Sequence, residues 1–246
     1  MERQIRKMKI DYSNIIRKKL LREMKAGVFS TCDKLPRELE LAKELGISRN
    51  HLREVLAQLE REGFITRIHG VGTIINHHVM KVKNRMDIEV EFLDIISQNG
   101  YMPEVEGIHI QEKKADAYIA EKLQVPEHTE VMKIYRVCTA DGRPAIYCED
   151  MFAKDMIKEE YTLKDFEPTI FHFLKKCCYV EAYMDVTQLH AVLADEKIGK
   201  ALRIPQGSPV LNMEEIDYDI SGNVIFYSSQ YFVDEFFEQT VIRKKL

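Results

Sequence analysis

The sequence predicts an α+β protein in two parts: three short helices and a β-hairpin in the first eighty residues, then a larger α+β domain built on an internally duplicated antiparallel sheet. Three observations lead there. Apolar residues recur at helical spacing as far as Leu59 and then switch to strand spacing, the excess of Lys and Arg is confined to the first part, and one stretch of the second part returns 79 or 80 residues later.

With 246 residues, 45% of them hydrophobic and 31% charged, the chain is long enough for two cores, and disordered or collagen-like classes are excluded. No apolar run reaches the length of a membrane span, and the start, MERQIRKMKI, lacks a secretory apolar region. A cytoplasmic protein with no membrane partner is expected. Five scattered cysteines, without CxxC spacing or a matching histidine pair, point to reduced thiols rather than disulfides or zinc. No motif demands a cofactor or a metal. Residues 1–80 carry 16 Lys+Arg against 10 Asp+Glu, whereas 81–246 carry 20 against 30. A basic small part joined to an acidic larger one suits a protein whose first part meets phosphates.

From Asp11 to about Lys25, Ile15, Ile16, Leu20, Leu21 and Met24 fall at helical spacing, and Gly27 ends the run. A second, short helix is expected from Pro36 as its first residue, through Leu39, Leu41, Ala42 and Leu45, to Gly46. Ser48 then has the character of an N-cap, and Leu52, Val55, Leu56 and Leu59 form the buried stripe of a third helix that stops at Gly63. Two short helices around a tight glycine turn make a helix-turn-helix. Arg49, Asn50 and Arg53 share the outer side of the third helix at its start, the end that enters a major groove, where arginine reads guanine and asparagine reads adenine. Strand-prone runs Phe64 to Ile68 and Thr73 to Ile75 flank the glycines of HGVG, giving a wing with Arg67 and His69 as donors.

Over residues 11–76 this segment resembles the winged helix-turn-helix of GntR-type regulators. The resemblance implies operator contacts by Ser48, Arg49, Asn50, His51 and Arg53 in the recognition helix and by His69, Gly70 and Thr73 in the wing. Where the family usually has an arginine or similar contact residue in the second helix, this chain has Leu39, with Arg37 two residues earlier as a replacement only if that helix starts elsewhere.

The domain division expected is 1–76 for the DNA-binding head, 77–86 for a polar linker and 87–246 for the larger domain. A helix is expected over Asp87 to Asn99. Beyond it, the segment from Ala115 overlies the segment from Ala194. Leu123 matches Leu202, Pro126 matches Pro205 and Val131 matches Val210; after one inserted residue, Gly142 matches Gly222, Tyr147 matches Tyr227 and Phe152 matches Phe232. Each copy consists of a helix, a Pro-containing loop, and two strands about a glycine turn, so one pseudo-symmetric sheet is expected rather than a solenoid. Between the copies lie a helix over FEPTIFHFLKKCCYV and a strand over AYMDVTQLHAVL.

Over roughly 87–242 this order resembles the UTRA effector-sensing domain of the HutC-like branch of GntR regulators, related in fold to chorismate lyase. The resemblance implies a metabolite held over the sheet, with Arg136 matching the first arginine of the family's strand motif and Tyr227 and Ser228 its last hairpin. A second arginine usual in sugar-phosphate sensors falls at Cys138, and glutamates fall at Cys148 and Phe226. A less polar or smaller ligand is therefore expected. Tyr147, Glu149, His190 and Tyr227 join the candidates on the expectation that paired strands direct them to one face.

The function expected is that of a sequence-specific transcription regulator: a homodimeric repressor whose grip on operator double-stranded DNA is modulated by a small molecule. Two alternatives are an enzyme of chorismate-lyase-like fold fused to a DNA-binding head, and a thiol or metal sensor using Cys138 and Cys148. No nucleophile, base and orienting acid can be grouped from the sequence to support the first.

Overall fold

The computed structural model describes residues 2–167 and 169–244. They group into two units, one formed by the chain up to Glu89 together with the segment from Gln239 on, the other by Val90–Glu238.

In the first unit, α1 (Glu2–Ala26), α2 (Glu38–Leu45) and α3 (Arg49–Arg61) precede a hairpin of β1 (Ile65–Ile68) and β2 (Gly72–Ile75). Ile16, Leu20 and Met24 of α1, Leu41 and Ala42 of α2, and Leu52, Val55, Leu56 and Leu59 of α3 form one core with Ile65 and Ile75 of the hairpin. Gly46, at φ 68°, closes α2 in the left-handed conformation that lets the chain turn sharply into α3. Two expected apolar positions face out instead: Ile15 is 60% exposed and Leu39 71%. The second helix also begins later than expected, because Arg37 is extended (ψ 144°) and caps a helix that starts at Glu38.

The segment expected as a linker is folded. It forms α4 (His77–Met80), which buries Val79 and Met80, and β3 (Asn84–Arg85), whose residues are also buried. Arg85 explains the order: its guanidinium donates to the Glu62 carbonyl at 2.6 Å, pairs with Asp87 and lies 4.9 Å from the centre of the Phe64 ring. Polar composition suggested a linker here, but these polar groups are spent on the head itself. Asp87 and its neighbours consequently stay out of the next helix, and α5 is confined to Phe92–Gln98.

The second unit holds one antiparallel sheet. Its strands are β4 (Pro103–Lys114), β5 (Glu130–Ala140), β6 (Arg143–Ala153), β7 (Met184–Leu193), β8 (Pro209–Tyr218) and β9 (Val224–Phe232), in the spatial order β4-β5-β6-β9-β8-β7. That order reads as two copies related about the β6–β9 pair. Helices α6 (Ala117–Leu123) and α8 (Glu196–Leu202) occupy equivalent places, each capped by an aspartate (Asp116, Asp195) and each ended by a residue in the left-handed region (Gln124 at φ 52°, Arg203 at φ 54°). The repeating unit thus includes a leading strand, and β4, which the sequence reading passed over, is the counterpart of β7.

The copies are interlocked. Helix α6 of the first packs with Tyr227, Ile216 and Val224 of the second, and α8 of the second packs with Tyr147, Tyr135 and Val137 of the first. The opposite face of the sheet is covered at one end by α5 and at the other by α7 (Ile170–Phe173), which runs into a wider turn over Leu174–Cys178. A last strand, β10 (Gln239–Thr240), pairs in parallel with β3 in the first unit.

Candidate functional site

At the start of α3, Ser48 accepts the backbone N–H of His51 at 3.2 Å and so fixes where the helix begins. Arg49 and Arg53 follow with 63% and 60% of their side chains exposed, one turn apart, near Glu38 Oε2 at 3.4 and 3.8 Å, and Asn50 is exposed beside them. Such exposed ion pairs are weak and readily exchanged for phosphate. His51 instead turns toward α1: its Nε2 lies 3.0 Å from Ser13 Oγ and its ring meets Tyr12 edge-on at 5.3 Å. Arg67 is also engaged, its backbone N–H and Nε both donating to Glu60 at 2.8 Å. At the hairpin tip, His69 and Gly70 are exposed and Gly70 takes φ 75°, while Thr73 is buried. Arg37 is exposed next to Leu39. The ten head residues therefore divide into an outward set, Arg37, Arg49, Asn50, Arg53, His69 and Gly70, and a set engaged in capping or packing.

The larger unit divides its candidates by the pleat. Arg136 and Ser228 face the side covered by α5 and α7, whereas Tyr147, Glu149 and Tyr227 face the side covered by α6 and α8, with His190 exposed on the rung that joins Tyr147, Tyr231 and Asn212. The four residues expected on one face, Tyr147, Glu149, His190 and Tyr227, share a side of the sheet, and Arg136 and Ser228 lie on the other, because successive residues of a strand alternate sides.

On the helix-packed side, Tyr147 stacks between Tyr135 and Tyr231 at 6.5 and 6.0 Å. Glu149 is held by Lys133 at 2.6 Å and by Lys197. Burial works to raise its carboxyl, but the two ammonium partners outweigh that and hold it below its ordinary value. Tyr227 shares a hydrogen bond of 3.1 Å with Tyr118, and burial pushes its phenol up.

The other side carries a polar rung that runs across four neighbouring strands: Asp150 on β6 pairs with Ser228 on β9, Ser228 with Glu215 on β8, and Glu215 with Thr187 on β7. Arg136 donates to Asp150 at 2.8 Å through Nε and approaches it at 2.6 Å through a terminal nitrogen, with 4% and 1% of the two side chains exposed. Ser228 donates to the other Asp150 oxygen at 2.7 Å, and the Gln230 amide donates to Glu215 and, at 3.1 Å, to Ser228 Oγ. Cys138 and Cys148 adjoin Arg136. A hydrogen bond from Cys148 lowers the Cys138 thiol despite burial, with help from Arg136, while Cys148 is raised and Glu91 acts on Cys138 in the opposite sense.

Apolar clusters flank the rung, and a cavity of about 490 Å³ stands above this side, lined by Glu91, Leu93, Asp94, Thr169, Phe171, His172 and Lys175. Leu93 packs with the cluster around Cys138, Cys148 and Phe232, and Phe171 meets Phe226 of β9 at 6.0 Å, which ties the cavity walls to the sheet face beneath. Asp150, Glu215 and Gln230 were missed from sequence. Each lies in a strand that mixes apolar and polar residues, and only the strand register shows that Asp150 meets Arg136 and Ser228 and that Gln230 links Ser228 to Glu215. Among the described residues no group of three or more His, Cys, Asp or Glu side chains is placed to hold a metal ion, and none of the helices described is long and apolar enough to cross a membrane.

Residues 12–75 match the family model for bacterial regulatory proteins of the gntR family, and 98–238 match the UTRA domain. Among curated proteins, the mannosyl-D-glycerate transport/metabolism system repressor MngR of Escherichia coli is 23% identical over 231 residues, covering 94% of this chain and 93% of MngR. The histidine utilization repressor of Pseudomonas putida is 27% identical over 199 residues, covering 80% and 77%. Among solved structures, YydK of Bacillus subtilis superposes with a TM-score of 0.75 at 19% identity, covering 94% of this chain and 99% of YydK. PhnF of Mycobacterium smegmatis does so at 0.58 and 17%, covering 86% and 92%.

Proposed function

The chain belongs to the GntR family of bacterial regulatory proteins, in the group that carries a UTRA domain, and from that premise we propose that it is a cytoplasmic homodimer that releases a two-fold operator when a metabolite binds beside Arg136 and Ser228. It is a sequence-specific DNA-binding transcription repressor with an effector-sensing domain, and its relatives are regulators, not enzymes.

One observation supports the DNA-reading set above others: Arg49, Asn50 and Arg53 project from the capped start of α3 with no buried partner. Arginine there donates to guanine or phosphate, Asn50 to adenine, and the amides of the helix start favour phosphate oxygens. His69 and Gly70 at the wing tip and Arg37 before α2 lie outward for backbone or minor-groove contact. Ser48 contributes by capping, and His51, Arg67 and Thr73 by holding the helix and wing in place.

For the effector, the polar rung and the 490 Å³ cavity lined from α5 and α7, which cover the same side of the sheet, support the side of Arg136 and Ser228. Tyr147, Glu149 and Tyr227 serve the packing of α6 and α8, and His190 lies at the surface. Dimerisation is supported by the edge strand β7, which leaves Met184, Val186, Leu189 and Leu193 exposed along an open hydrogen-bonding edge.

Fluorescence anisotropy against DNA from the protein's own upstream region and against a shuffled duplex, across a salt series, tests the DNA-reading set. Tight binding to the native duplex that weakens about 10-fold or more in Arg49→Ala or Arg53→Ala is expected. Native binding unchanged in both variants would overturn the assignment of these residues.

A further inference from the structure

Cations suit the C-terminal end of a helix, because the aligned carbonyls of its last turn carry partial negative charge. Helix α3 instead carries Glu60 and its cap residue Glu62 at that end, with Arg61 between them, and other elements of the first unit bring cations to it. Arg17 of α1 grips the Glu62 carboxylate through Nε at 2.9 Å and a terminal nitrogen at 2.6 Å. Arg67 of the wing meets both oxygens of Glu60 at 2.8 Å through its backbone N–H and Nε. Two more cations reach the backbone of the same turn: Arg85 on β3 donates to the Glu62 carbonyl at 2.6 Å, and Lys244, beyond β10, donates to the Glu60 carbonyl.

The two pairs differ in origin. Arg17 and Arg67 lie within the stretch 12–75 that matches the gntR family model, whereas Arg85 and Lys244 lie outside both that stretch and the UTRA match over 98–238. Each of the second pair is a few residues from a passage of the chain between the two units, one between Glu89 and Val90, the other between Glu238 and Gln239. Their segments are fastened together: β10 pairs with β3, the Met86 N–H donates to the Thr240 carbonyl at 3.0 Å, and the Ile242 N–H approaches Asp87 at 3.5 Å. Ile242 and Lys244 also close over Gly63, just past α3, where a β-carbon would stand 3.4 Å from Lys244 Cε and 3.7 Å from Ile242 Cγ2.

We propose that Arg85 and Lys244 are positioning residues for operator reading: from the joined segments of β3 and β10 they clamp the rear of α3 and fix the angle at which Arg49, Asn50 and Arg53 meet the groove. This rests on the assignment of α3 as the DNA-reading helix. The 13 residues of α3 span about 20 Å, so a tilt of about 10° at the clamped end carries Arg49 through about 3 Å. Direct contacts to base edges tolerate far less. The clamp lies a helix length from the reading end, so it acts on DNA through α3 rather than by touching phosphate.

Fluorescence anisotropy of the full-length protein against its own upstream DNA and a shuffled duplex, over a salt series, tests the clamp in Lys244→Met, Lys244→Arg and Thr240→Pro, with Arg49→Ala alongside. Affinity for the native duplex should fall about 3-fold in Lys244→Met, which loses one hydrogen bond to α3, and about 10-fold in Thr240→Pro, which breaks the β3–β10 pair. Lys244→Arg keeps a donor and should bind like the parent. Binding to the shuffled duplex and the salt slope should keep their parent values, because no phosphate contact is removed. Hydrogen exchange should quicken at the amides of residues 57–62 and stay unchanged in β5 and β6, the sheet remaining intact. The proposal is overturned if native binding in Lys244→Met and Thr240→Pro stays within about twofold of the parent while Arg49→Ala weakens it, an outcome that leaves α3 as the reading helix. A joint fall of native and shuffled binding with a shallower salt slope also overturns it, by making Lys244 a phosphate contact. Native binding unchanged in every variant removes the clamp and the reading of α3 together.

Discussion

Arg136 shows how a residue legible in the sequence takes its role from neighbours that were not. Its place in a strand motif marked it as a ligand-face cation, yet Asp150 lies on the adjacent strand, fourteen residues away, and only the β5–β6 register joins them. Burial opposes the charged guanidinium, and Asp150 restores it, so the pair is a unit. Replacing Arg136 by Met should cost about 3–5 kcal/mol in urea unfolding at neutral pH, because Asp150 is left as an uncompensated buried charge. Adding Asp150→Leu to that variant should return much of the loss. Glu149 gives a pH signature on the opposite face. Its carboxyl is held below the ordinary 4.5 by Lys133 and Lys197 against the effect of burial. The stability it contributes is therefore present above pH 4.5 and fades as pH falls through the lower folded value. Stability measured from pH 7 downward should fall less steeply below 4.5 in Glu149→Gln than in the parent; parallel acid limbs would exclude this role.

At the level of elements, capping and turn chemistry could be read directly. Ser48 caps α3 as its residue type predicts, and Ser48→Ala should lose about 1 kcal/mol of stability while weakening DNA binding through a frayed recognition helix. The matched helix ends are a consequence of duplication that sequence identity hid, because Gln124 and Arg203 differ in type but share the left-handed backbone. Gln124→Gly should stabilise the domain by about 0.5–1 kcal/mol, read as a raised urea midpoint at unchanged slope. Boundaries were less legible where polar residues were spent on tertiary partners. Arg85 and Asp87 made the segment before α5 look like a solvated linker, and their ion pair within the head is invisible to local pattern. The strand β4 alternates weakly around Gly107 and carries a bulge, so its period was lost.

For the whole molecule, the interlocked copies mean that neither half of the sheet buries its helix alone. Tyr147→Ala and Tyr227→Ala should each destabilise by about 3 kcal/mol, and a fragment holding one copy should lack cooperative unfolding by circular dichroism. The exposed apolar edge of β7 argues for assembly: light scattering should give a dimer for the parent and a monomer for Leu189→Lys, with operator affinity falling as the second half-site is lost. The sequence by itself determined the helix-turn-helix, its cap, the outward Arg49–Asn50–Arg53 set and the duplication, because each is written in spacings of a few residues or in direct repetition. Tertiary structure alone decided which side of the sheet each candidate faces, that Asp150 meets Arg136 while Glu215 and Gln230 join Asp150 through Ser228, and that the closing strand joins β3 beside the head. The physical reason is the pleat: one residue of register exchanges the faces of a strand, and register is set by long-range pairing rather than by local pattern.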